Sequence, residues 1–186
     1  IDEATSALTS TLQAFGYTAN QSVGVIDVLN EVGNNFAISS DGIATALQDS
    51  ASSLMAANNS YEQAVALIAS ANRVVQDPSS VGAALRTISL RLRGTSATEL
   101  EEAGEDSTGV IESKSKLRSK IQGLSGVDIL TDTGAYKSTY DILLEISKVW
   151  KGMSDINQAA LLEIIAGKTR SNTAAAILSN TIDLEE

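Results

Sequence analysis

Ser60-Tyr61-Glu62-Gln63-Ala64-Val65-Ala66-Leu67-Ile68-Ala69-Ser70-Ala71-Asn72-Arg73-Val74-Val75-Gln76-Asp77-Pro78-Ser79-Ser80-Val81-Gly82-Ala83-Ala84-Leu85-Arg86-Thr87-Ile88-Ser89-Leu90-Arg91-Leu92-Arg93-Gly94 spells out two helices and the turn between them. Ser60, with Gln63 three residues on, is a capping box, in which each side chain accepts from the other's backbone N–H. Ala64, Leu67 (or Ile68) and Ala71 then recur at helical spacing up to Val75. Asp77 followed by Pro78 is a second start signal: an acid that caps, then a residue whose missing N–H costs nothing in the first turn. Val81, Leu85, Ile88 and Leu92 form the next stripe, and Gly94 closes it. The class is all-α.

The same reading extends in both directions. Upstream, Ala4, Leu8, Leu12 and Phe15 mark a helix ending at Gly16. Ser22 opens another that runs to Gly33-Asn34-Asn35, and Ser40-Asp41 opens a third through Ile43, Ser50 and Leu54 to Asn58-Asn59. Ser39-Ser40-Asp41-Gly42 and Ser79-Ser80-Val81-Gly82 sit 40 residues apart, a period common in stacked helix pairs, so the expectation is short helices in a repeat-like stacked-hairpin arrangement. Ala, Ser and Gly at the contacts would let such helices approach closely. Downstream, residues 95–110 read as an acidic connector with one short helical turn and a solvated face, and a helix follows from Glu112 to Leu124. Residues 127–137 hold a weak alternation around Thr131-Asp132-Thr133-Gly134, which predicts a small β-hairpin. Helices resume over 138–150, 154–166 and 169–180. The expected organisation is therefore a helical-hairpin segment over 1–94, the connector over 95–110, and a C-terminal helical segment with the hairpin over 111–186.

Composition narrows the chemistry. The 186 residues include no His and no Cys, which removes the usual neutral-pH base, the thiol nucleophile and the commonest metal ligands. With 4% aromatics and a single Pro, the chain is expected to be no enzyme, with no catalytic, cofactor-binding or metal-binding residue and no cofactor. Its net charge of −10 disfavours specific or tolerant nucleic-acid binding. No apolar run of about 18 residues occurs, so no membrane contact is expected. The chain starts at Ile1 and shows no obvious stop, which reads as a segment of something longer.

Several short motifs imitate active sites. Asp132-Thr133-Gly134-Ala135 resembles one half of an aspartic-protease pair, but that chemistry needs two carboxylates sharing a proton, and only one such triplet occurs. A hydrolase built on Asp132 or Asp128 is the reading it would support; a turn is the reading preferred. Gly167-Lys168-Thr169 looks like the end of a phosphate-binding loop, yet Leu162 stands where that loop requires Gly. Gly167 is better read as ending a helix, with Lys168 and Arg170 at its negative pole. Asp128, Asp132 and Asp141 are too irregularly spaced for a calcium loop. Asn20-Gln21-Ser22 and Asn58-Asn59-Ser60 serve turns and caps. Arg86, Arg91 and Arg93 lie on one helix and Lys114 to Lys120 on another, with acids close by at Glu99 to Asp106, so pairing within the chain is expected of them. Trp150 is expected to be a core or hairpin-packing anchor rather than a ligand platform.

Beyond these residues lies a resemblance. Phe15-Gly16-Tyr17-Thr18-Ala19, the run Gly82 to Gly94, and Leu100-Glu101-Glu102-Ala103-Gly104-Glu105-Asp106 resemble the core region of phage-related minor tail proteins of the tape measure type. So do Gly126-Val127-Asp128-Ile129, Tyr136 to Ile146, and Asp155 to Glu163 continuing to Ala166-Gly167-Lys168. The resemblance implies structural work in tail assembly and tail-length determination. It also implies partners: the tail tube protein, tail assembly chaperones, baseplate or tail-tip proteins, and further copies of the chain. The implied location is the lumen of the virion's tail, with the host cytoplasm during assembly. The competing class is a secreted or surface helical interaction module, which the richness in Ala, Ser, Thr and Asn fits as well.

Overall fold

Capping side chains set most of the helix starts in the structure, a computed structural model that describes residues 2–180. Among the described residues there are ten helices and no strand: α1 (Asp2–Ala14), α2 (Ser22–Asn35), α3 (Ser40–Ala56), α4 (Tyr61–Val75), α5 (Pro78–Arg91), α6 (Ala97–Glu102), α7 (Lys114–Ser125), α8 (Thr139–Trp150), α9 (Asp155–Ala166) and α10 (Ser171–Ser179). The Ser60–Gln63 capping box forms as expected, and Asp77 accepts from the Ser80 amide with Pro78 in the first turn. Ser39, Ser96, Ser113, Ser138 and Ser154 each accept a backbone N–H from the first turn of α3, α6, α7, α8 and α9. Such a cap is worth about 1 kcal/mol.

Burial follows the small residues. In α4, Ala64, Val65, Leu67, Ile68, Ala69 and Ala71 are all within the core, so this helix is apolar almost all round and lies at the centre. Helix α5 beside it buries Val81, Leu85 and Ile88. Helices α2 and α3 pack against this pair, with α1 resting on α2 and α3; α8 touches α4, α9 touches α5, and α10 touches α4, α5, α8 and α9. One continuous core runs from Val25 to Leu178 and includes Trp150, which is the anchor expected of it.

The heaviest pairing skips an element. Helix α3 packs chiefly on α5 rather than on its chain neighbour α4. Gly82 is the reason: a Cβ there would lie 2.5 Å from the Ala46 carbonyl oxygen and 2.9 Å from the Ala46 Cα, so the two backbones are in direct contact. The two Ser-Ser-x-Gly segments nevertheless take different places, because Ser39 caps α3 whereas Asp77, not Ser79, caps α5. They do not mark the same point of a repeat.

The hairpin expected over 127–137 is reduced to a single antiparallel bridge between Leu130 and Tyr136. The Thr131 amide donates to the Ala135 carbonyl at 2.7 Å and the Lys137 amide to that of Ile129 at 2.9 Å, after which the chain enters α8. Two such rungs leave no sheet face to bury. Asn58, in a left-handed conformation past the end of α3, holds this turn by donating from Nδ2 to the Tyr136 carbonyl at 3.0 Å. Asn59 Oδ1 accepts from the Tyr140 amide at 2.9 Å, so both asparagines work as turn residues, as expected.

Candidate functional site

A network of buried and half-buried polar side chains lies where α5 ends. Thr87 and Arg91 are four residues apart and therefore share a face of α5, and Arg86 flanks them. Opposite them comes the connector after α6. Leu100, fully buried, pins α6 down, and Gly104 at φ +75° lets the Glu105 amide return to the Leu100 carbonyl at 2.8 Å. That turn aims Glu105 inward. One carboxylate oxygen accepts from Arg86 Nε at 2.6 Å and the other from Thr87 Oγ1, and the Glu105 side chain is left 4% exposed.

Arg91, wholly buried, reaches deeper. Its Nε donates to the Ile164 carbonyl at 3.0 Å, and its terminal nitrogens donate to the carbonyls of Asp106, Thr108 and Glu163. Ile164 and Glu163 belong to the last turn of α9, where the Glu163 carbonyl also accepts from the Gly167 amide, so Arg91 adds to the capping of α9 from a different helix. Burial pulls the Arg91 pKa below its ordinary value, and the nearby charges of Asp106 and Glu163 work against that.

Asp106 completes the arrangement. One oxygen accepts from the Thr108 amide at 2.9 Å; the other accepts from the Lys168 amide at 2.7 Å and from the amide and hydroxyl of Thr169. Hydrogen bonding to the Thr108 side chain first, and then to the amides of Thr169, Thr108 and Lys168, holds its carboxyl well below the usual carboxylate range, against a smaller opposing effect of burial. Gly167, at φ +66°, sits between the charges: a Cβ would lie 2.8 Å from Asp106 Oδ2 and 3.3 Å from an Arg91 terminal nitrogen. The Gly167-Lys168-Thr169 backbone thus cradles an anion, and the anion is this chain's own carboxylate.

Three expectations change here. The solvated acidic face holds for Glu99, Glu101 and Glu102, which are exposed, but not for Glu105 or Asp106, whose partners lie on α5 and after α9. Arg86 pairs with an acid across the connector as expected, whereas Arg91 takes carbonyl oxygens and Arg93 stacks 4.3 Å from the centre of the Tyr136 ring. On α7, Arg118 makes a forked pair with Asp128 at 2.8 and 2.6 Å, while Lys114, Lys116 and Lys120 stay exposed. Arg118 is also the first cause of the lowered Asp128 pKa.

The remaining imitations of active sites resolve as turns. Asp132 is exposed in a turn closed by the Gly134 amide on the Thr131 carbonyl at 2.9 Å. A hollow of about 400 Å³ beside that turn is lined by Lys114, Ser115, Arg118, Ser119, Ile129, Leu130, Gly134 and Tyr136, with no carboxylate in its wall. Among the described residues no three acids gather as a metal set. No described helix is long and apolar enough to cross a membrane.

Comparison with known proteins gives one family: its model, described as phage-related minor tail protein, matches residues 1–167. No solved structure matches the chain.

Proposed function

The chain belongs to the phage-related minor tail protein family, and from that premise we propose that it is a tape measure segment, a structural part of the machinery that assembles a phage tail and sets its length. The observation that carries the proposal is the family match over residues 1–167, nearly the whole chain. The interior supports it, since polar groups there are spent on one another: Arg91 on helix-end carbonyls, Asp106 on backbone amides, Glu105 on Arg86 and Thr87. In this reading the chain is no enzyme. Its partners are the tail tube protein, the assembly chaperones, tail-tip proteins and other copies of itself, and its place is the tail lumen.

A folded bundle and a narrow tube conflict, and we propose that the segment is partly extended once the tail is assembled. Helices laid end to end at 1.5 Å per residue would give a 186-residue segment a length of roughly 280 Å. An in-frame deletion of this segment from the parent gene is therefore expected to shorten the tail by a distance of that order, read by electron microscopy of purified virions. Tails of unchanged length from the deleted gene would refute the length-setting role.

A further inference from the structure

We infer that residues 103–113 form a strap that opens locally, ahead of any unfolding of α3, α4 and α5, by exchanging its bonds to Arg91 and to the end of α9 for bonds to water. The inference rests on the geometry of this chain and holds whatever its part in the tail.

The strap is fastened almost entirely by polar groups. Glu105 is bound to Arg86 and Thr87, the Asp106 and Thr108 carbonyls to Arg91, and the Asp106 carboxylate to the Lys168 and Thr169 amides. Of its side chains only Ile111 packs on the apolar core, and it is half-buried. Beneath the strap lies a cation rather than hydrocarbon. Arg91 is wholly buried, and its four bonds go to carbonyl oxygens, two of them on the strap.

A charge removed from water costs several kcal/mol, which its new partners repay only when geometry is good. Opening the strap rehydrates the guanidinium, the helix-end carbonyls and the Asp106 carboxylate, so most of what is lost is regained from solvent. Opening the α3–α5 seam exposes Val81, Leu85, Ile88, Leu47 and Leu54, for which water offers nothing. A hinge position exists as well. Gly104 at φ +75° has nothing within 4 Å of where a Cβ would be, so the chain can swing there without repacking.

Hydrogen exchange followed by NMR in increasing, non-denaturing urea tests this on the whole chain. The amides of Lys168 and Thr169, whose acceptor is the Asp106 carboxylate on the strap, are expected to exchange about 100-fold or more faster than those of Leu47 and Leu85, with little dependence on urea. Asp106→Asn keeps the shape but sets an amide N–H against a backbone N–H. It is expected to speed exchange at Lys168 and Thr169 about tenfold while leaving Leu47 and Leu85 unchanged. A single protection level and urea slope shared by strap and core would overturn the inference. So would a variant that speeds exchange equally at Leu85, or one that does not fold, because release would then be global.

Discussion

Replacing Gly82 by Ala tests the contact on which the packing of this fold turns. In an ordinary helix interior that change stabilises by about 1 kcal/mol, because Gly carries excess backbone entropy into the fold. Here the new Cβ would lie 2.5 Å from the Ala46 carbonyl oxygen and 2.9 Å from its Cα. Carbon atoms rest at about 3.5 Å or more, so α5 has to retreat by roughly 1 Å, and a gap of that size forfeits up to about half of each contact's attraction. The obstructing atoms are backbone of another helix, with no side-chain rotamer to turn aside. Overpacking of this kind costs about 1–3 kcal/mol, and the rigidity of the neighbour places Gly82→Ala near the upper end. Set against the propensity gain, the expected net loss is about 2 kcal/mol, or roughly 4–8 °C in Tm for a chain of this size. Gly24→Ala on α2 is the matched control, since a Cβ there meets nothing within 4 Å. It is expected to stabilise by up to about 1 kcal/mol. Urea denaturation followed by circular dichroism at 222 nm measures both. A Gly82→Ala protein as stable as the parent would refute the backbone contact and with it the α3–α5 pairing.

Tyr61→Phe removes the hydroxyl that donates to the Val25 carbonyl at 3.0 Å while keeping the edge-on packing against Phe15 and Tyr17. A loss of about 1 kcal/mol is expected in the same assay, with exchange rising first along α2. Because the folded Asp106 carboxyl lies below its ordinary 3.8, the unfolded chain takes up that proton more readily than the folded one. The stabilisation is complete above that value and is lost as pH falls through and below it, so acid unfolding titrations should be steeper below about pH 4 for the parent than for Asp106→Asn. Asp132→Asn, at an exposed turn, should leave Tm unchanged to within about 0.5 kcal/mol of stability. A peptidase activity abolished by that substitution would instead revive the catalytic reading.

Local chemistry made the helices legible. Ser60 with Gln63, Asp77 with Pro78, and Ser138 ahead of Thr139 each satisfy amides within three residues of themselves, so their effect does not depend on what the rest of the chain does. The weak alternation over 127–137 lacked a partner face, and a turn with one bridge is what an alternation that short can hold without a third strand.

The Arg91 node could not be read in the same way, since Arg91 meets Ile164 73 residues on and Asp106 meets Lys168 62 residues on, and a charge pattern does not say which helix end will arrive beside it. Elsewhere on α5, Gly82 carries a cost inside an otherwise good helix, and the reason is Ala46 on α3. Gly167-Lys168-Thr169 resembles the end of a phosphate-binding loop but reads as a helix end; the helix does end there, and the amides beyond it hold a carboxylate of the chain itself. In a chain with no His, no Cys and a net charge of −10, a carboxylate is the commonest anion at hand. The fold uses one to join the connector to α9, with Gly167 leaving room for both the carboxylate and the buried arginine beside it.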